Sequence, residues 1–65
     1  MVLTVNGERQ DVEAANVAAL LQALGYEGGF FAVAVNGEVV RRARWAEATL
    51  SEGDRVEILT PRQGG

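Results

Sequence analysis

The sequence contains no cysteine, no histidine and no lysine. These absences remove the thiol nucleophile, the imidazole base, the Schiff-base amine and every zinc site built on His or Cys. Structural disulfides are excluded too, which fits a cytoplasmic protein. Long hydrophobic runs are also missing. The longest apolar run, Phe30 to Val35, is six residues, far below the roughly 20 needed to cross a bilayer. The opening Met1-Val2-Leu3-Thr4-Val5-Asn6 has neither the basic n-region nor the apolar stretch of a signal peptide. The sequence therefore predicts a soluble cytoplasmic protein with no membrane partner. Positive charge is in deficit: nine acidic residues face six basic ones, all arginine, for a net charge of −3. That balance disfavours a general nucleic-acid-binding surface.

What remains is a chain of 65 residues, 48% of them apolar, which makes one small globular domain. A chain of this size buries only about 60% of its unfolded surface, so a net stability of a few kcal/mol is expected. Glycine punctuates it. Met1 to Val5 reads as a strand, and Asn6-Gly7 is a strong hairpin signal because both residues tolerate positive φ. Glu8 to Val12 then returns antiparallel to it. From Asn16 the period changes: Val17, Leu20, Leu21 and Leu24 form one apolar helical stripe. Asn16 is placed to cap that helix and Gly25 to end it.

A loop at Gly28-Gly29 precedes Phe30 to Val35, which reads as a well-covered strand. A second Asn-Gly, Asn36-Gly37, turns the chain into Glu38-Val39-Val40. Arg41 to Leu50 contains Trp45 and Leu50 without a clean period and reads as a loop with one helical turn. Ser51-Glu52-Gly53-Asp54 is a turn cluster, with Asp54 bonding nearby backbone N–H groups. Arg55 to Thr60 alternates as a last strand that Pro61 ends. One helix crossing one face of a mixed sheet of about five strands is the economical solution, an α+β fold of the β-grasp type. Parity assigns Leu3, Val5, Val17, Leu20, Leu21, Leu24, Phe31, Val33, Val35, Val56 and Ile58 to the inner side.

The side chains offer little chemistry of their own. The acidic residues are scattered, with no spacing that marks a metal cage or a catalytic carboxylate pair. Arg41, Arg42 and Arg44 beside Trp45 are the sole support for a small RNA-binding module of this fold. The competing reading is that the arginines pair with nearby carboxylates while Trp45 packs on the core edge.

The end of the chain is more informative. Residues 1–60 form the domain, and Pro61-Arg62-Gln63-Gly64-Gly65 is expected to project from it as a flexible tail. Five extended residues reach roughly 17 Å. Glycines lacking a Cβ can thread a channel too narrow for other residues. Gly65 would then present its carboxylate at the tip of a slim probe, where an enzyme could convert it to an acyl-adenylate. A pair of terminal glycines is also what a frayed end looks like, so the dipeptide alone leaves both readings open.

The whole chain resembles the ThiS family, the ubiquitin-like sulfur carriers of thiamine biosynthesis. The likeness runs through Val5-Asn6-Gly7-Glu8, Val17-Ala18-Ala19-Leu20-Leu21, Leu24-Gly25 and the long match from Ala32 to Val40. It continues through Arg42, Arg44-Trp45, Leu50, Gly53 to Ile58 and the final Gly64-Gly65. The polar Arg62-Gln63 departs from the more apolar or glycine-rich approach of several relatives.

The resemblance implies a protein co-substrate rather than an enzyme, binding no cofactor or metal itself. A ubiquitin-activating-like adenylating enzyme would use ATP and Mg to adenylate Gly65. Sulfur from a cysteine desulfurase or another donor would replace AMP to leave a thiocarboxylate, and thiazole synthase would take that sulfur into the thiazole. Gly64, Gln63 and Arg62 would thread the partner active sites. Val2, Ala32, Ala34 and Leu59, which parity points away from the helix, would form the docking surface, rimmed by Arg55 and Glu57. Carriers for molybdopterin synthesis or tRNA thiolation share the fold and the ending, and a conjugated ubiquitin-like modifier is a further alternative.

Overall fold

A computed structural model of the chain describes residues 1–26 and 31–60. The Gly28-Gly29 loop, Phe30 and the tail of residues 61–65 lie outside the described residues. The elements are β1 (Val2–Val5), β2 (Glu8–Asp11), α1 (Val17–Ala23), β3 (Ala32–Val35), β4 (Glu38–Val40), a 3₁₀ turn at Arg42–Arg44, and β5 (Arg55–Leu59). Both Asn-Gly pairs make tight hairpin turns. Asn6 and Asn36 each have φ 51°, followed by Gly7 at 84° and Gly37 at 86°, the double positive φ of a type I′ turn. These turns set the registers Val5↔Glu8 and Val35↔Glu38. β5 inserts between the two hairpins, parallel to β1 and antiparallel to β3, for a strand order of β2-β1-β5-β3-β4. With α1 against one face, this is the β-grasp architecture that the element order predicts.

The helix is bounded by its own chemistry and by a distant segment. Asn16 is extended, and its Oδ1 accepts from Ala19 N–H at 2.8 Å. The two preceding helical N–H groups, which no residue within the helix can satisfy, donate elsewhere. Val17 N–H reaches Ala48 O at 3.0 Å and Ala18 N–H reaches Trp45 O at 3.1 Å. The aperiodic stretch after β4 therefore caps α1. At the other end, Gly25 at φ 86° permits a Schellman closure. Gly25 N–H donates to Gln22 O at 3.2 Å, and Tyr26 N–H to Leu21 O at 2.8 Å.

The core joins Leu3, Val5, Val33, Val56 and Ile58 of the sheet to Val17, Leu20 and Leu21 of the helix. Leu24, Phe31 and Val35 of the expected inner set are only partly buried, and Phe31 precedes β3 rather than lying in it. Ala14, Trp45 and Leu50 are buried although parity does not assign them. Trp45 stacks on Phe31 at 5.2 Å between ring centroids, with planes 6° apart, and its Nε1 donates to Val40 O at 2.9 Å. Among the described residues no polar or charged side chain is buried. The Met1 ammonium donates to Val12 O at 2.9 Å and faces Glu13 at 3.4 Å and Asp11 at 3.5 Å. Desolvation works against its charge, but the hydrogen bonds and charges of the two carboxylates outweigh it. The pKa is raised above the ordinary 8.0.

Candidate functional site

The strand that leads to the tail lies in the middle of the sheet, and its residues alternate. Val56 and Ile58 are buried against the helix side, while Arg55, Glu57 and Leu59 are exposed on the opposite face. Pairing carries this face across the neighbouring strands. Leu59 lies opposite Ala32, and Ala34 lies between Glu57 and Val39. Leu59 is 69% exposed and Val39 76%, the large hydrophobics left in solvent among the described residues. Both flank Ala32 and Ala34, whose small side chains leave the sheet backbone open to close approach. Apolar side chains that run together on one sheet face make it a candidate partner site.

The structure thus brings together three of the four residues expected to form the docking surface, and places Arg55 and Glu57 on the same face. Val2 shares that face but stands at the other end of the sheet. Its N–H donates to Glu52 Oε2 at 3.0 Å and its carbonyl accepts from Gly53 N–H at 2.8 Å, beside the beginning of β5 rather than its end. Val39 belongs to the patch although parity within β5 and β3 does not name it. The signal was present in the Asn36-Gly37 turn, because a two-residue loop that pairs Val35 with Glu38 must set Val39 opposite Ala34.

Both ends of β5 are held by asparagine side chains. At its exit, Asn6 Oδ1 accepts from Ile58 N–H at 2.7 Å and Asn6 Nδ2 donates to Ile58 O at 3.3 Å. At its entry, Asn36 Oδ1 accepts from Arg55 N–H at 2.9 Å and Asn36 Nδ2 donates to Asp54 Oδ1 at 3.1 Å. Asp54 Oδ2 in turn accepts from Ser51 N–H at 2.8 Å, the turn role its sequence context predicts. Arg62, Gln63, Gly64 and Gly65 lie outside the described residues.

The arginine cluster has ordinary surface partners. Arg44 pairs with Glu47 at 2.9 Å and Arg42 lies over the Trp45 ring at 5.3 Å. Trp45 is 8% exposed, stacked on Phe31 and turned toward the helix side, so it offers no free face for a nucleic-acid base. Beside it is a shallow groove of about 320 Å³ lined by Ala18, Leu21, Gln22, Tyr26, Phe31, Arg42 and Trp45. Among the described residues no group of three or more acidic, His or Cys side chains could hold a metal ion. No helix among them is long and apolar enough to cross a membrane.

Comparison with known proteins places this sheet and helix in a family. The model of the ThiS family matches residues 3–65, nearly the whole chain including Gly64-Gly65. The chain belongs to the ThiS family. Its fold is similar to the crystal structure of the thiamine biosynthesis protein ThiS from Geobacter metallireducens, at 40% identity and a TM-score of 0.83, with both chains fully covered. A solution structure of a thiamine biosynthesis protein from the same organism gives a TM-score of 0.81 at 40% identity, covering all of this chain and 88% of the other. A thiazole synthase from Paramagnetospirillum magneticum is 36% identical over 66 residues. This ThiS-family chain spans only about a fifth of that protein's length, 20% of it.

Proposed function

We propose that this chain is a sulfur carrier for thiazole formation in thiamine biosynthesis, a cytoplasmic co-substrate rather than a catalyst. The observation that carries the reading is the family match over residues 3–65, which takes in the glycine pair on which the chemistry would rest. A side-chain repertoire without Cys, His or Lys supports it, because it leaves the chain poorly equipped for catalysis of its own. The names of the relatives favour thiazole over other sulfur acceptors.

In this mechanism the Gly65 carboxylate attacks the α-phosphorus of ATP on a ubiquitin-activating-like partner that supplies Mg, and pyrophosphate leaves. The mixed anhydride makes the acyl carbon electrophilic. Sulfur from cysteine, carried as a persulfide by a desulfurase or related donor, adds there and AMP departs. A thiol then reduces the acyl persulfide, forming a disulfide with the donor and leaving the thiocarboxylate. Thiazole synthase takes up the sulfur. Arg62, Gln63 and Gly64 occupy the partner's channel during these steps, and Ala32, Ala34, Leu59 and Val39 dock the globule beside it. Val2, at the far end of the face, is left out of that contact.

The test is intact-protein mass spectrometry after incubation with the cognate adenylating enzyme, ATP and a sulfur source. The mass should rise by the difference between one sulfur and one oxygen, localised to the peptide ending in Gly65. Thiazole formation that persisted after removal of Gly64 and Gly65 would refute the reading.

A further inference from the structure

On the side facing β1, strand β5 presents the backbone groups of Asp54, Val56 and Ile58 in turn. Thr4 N–H donates to Asp54 O at 3.0 Å and Asn6 N–H to Val56 O at 2.9 Å. There the chain reverses at Asn6-Gly7 and β1 is exhausted, one step short of Ile58. The side chain of Asn6 supplies that step, with the 2.7 Å and 3.3 Å bonds to Ile58 N–H and O. A primary amide carries one acceptor and a donor, the same pair that a further strand residue would offer.

Two demands meet at this position. The turn needs φ 51°, which glycine, asparagine and aspartate tolerate and bulkier or branched residues do not. The clamp needs a short side chain that both donates and accepts. Glycine meets the first demand alone, and an ionised aspartate cannot donate. Asn36, with the same φ, performs the equivalent task for Arg55 at the opposite end of the strand. Asn6 is the one of the pair that acts at the exit, just before Leu59 and Thr60.

We propose that Asn6 is a positioning residue, its amide fixing the exit end of β5 at Ile58 and so the root, up to Thr60, on which the tail's approach to a partner depends. The proposal rests on the sulfur-carrier reading for what the tail meets, and on the clamp alone for where the tail starts. A tail that departs from a wandering root must search for the nucleotide site after docking, so the loss should appear in kcat rather than KM.

Asn6→Gly deletes the clamp and keeps the left-handed turn, and Asn36→Gly does the same at the entry end as a control matched for lost stability. Adenylation is measured with the cognate enzyme well below both melting temperatures. Asn6→Gly should lower kcat by about ten- to a hundredfold, the scale of a small misplacement of reacting groups, with KM unchanged, while Asn36→Gly keeps the wild-type kcat. Independently of activity, amide exchange at Ile58 should quicken about tenfold in Asn6→Gly, with lower backbone order at Thr60 by NMR relaxation, and neither should change in Asn36→Gly. Asn6→Asp, which keeps the acceptor and sets a carboxylate against Ile58 O, takes the same measurements should the glycine variant not fold. Equal kcat in the two glycine variants, or an unchanged Ile58 and Thr60 in Asn6→Gly, would overturn the proposal. A wild-type chain that is never adenylated would sink the carrier reading instead, and the exchange and relaxation arm would still decide the role of Asn6.

Discussion

Leu59→Ala separates docking from folding. Complete burial of a leucine side chain is worth roughly 1.5–3 kcal/mol. Leu59 is 69% exposed in the free protein, so little of that value is realised in folding and most of it remains for a partner. Burying the exposed fraction would contribute roughly 1–2 kcal/mol, and truncation to alanine forfeits most of it. KM for adenylation should therefore rise by about five- to thirtyfold, with kcat near the wild-type value. Stability should change by no more than about 0.5 kcal/mol, the range of an ordinary surface substitution. The assay is steady-state pyrophosphate release by the cognate adenylating enzyme over a range of carrier concentrations, with a thermal melt alongside. Val39→Ala should behave alike, since its side chain is 76% exposed on the same face. A KM within about twofold of wild type in both variants would refute the assignment of this face to docking.

Trp45→Ala should leave the chain largely unfolded at 25 °C by circular dichroism. Truncating a buried aromatic costs about 3–5 kcal/mol, comparable to all that a core this small supplies. Trp45→Phe, which keeps a ring against Phe31 but orphans Val40 O, should fold with a stability lower by about 1–3 kcal/mol in urea titration. One residue added after Gly65 displaces the carboxylate from the α-phosphate and should abolish adenylation without changing the melting temperature; Gly64→Val should act similarly, because a β-branched side chain restricts the backbone and widens the tail. Adenylation retained at the wild-type rate would count against Gly65 as the reacting end in the extended chain, and against a glycine-wide channel in Gly64→Val. The Met1 ammonium has a raised folded-state pKa, so its contribution to stability is complete below pH 8 and is lost as the pH climbs through the raised value. The melting temperature of the free-amine chain should accordingly converge on that of the Nα-acetylated chain above pH 8. A difference that stayed constant with pH would disprove it.

Much of this protein is written locally. Asn-Gly requires positive φ within two residues, so both hairpins and their registers follow from the chain itself, and with them the pairing of Val39 with Ala34. The stripe Val17, Leu20, Leu21 defines a helix face, and Asn16 and Gly25 bound it through side-chain and backbone geometry that needs no distant partner. The glycine ending is likewise visible as chemistry before any fold is known. What the tertiary structure decided is whatever depends on residues brought together from far along the chain. Trp45 and Leu50 have no periodicity to announce them, and they are buried because their segment caps the helix N–H groups and covers Phe31. The separation of Val2 from Leu59 appears only once β5 lies parallel to β1, since parity names a face and not a place along it. Asn6 reads as a turn residue in sequence. Its second task, holding Ile58, requires a strand 52 positions away to be set beside it, which the parallel pairing of β1 with β5 over their shared hydrophobic core achieves.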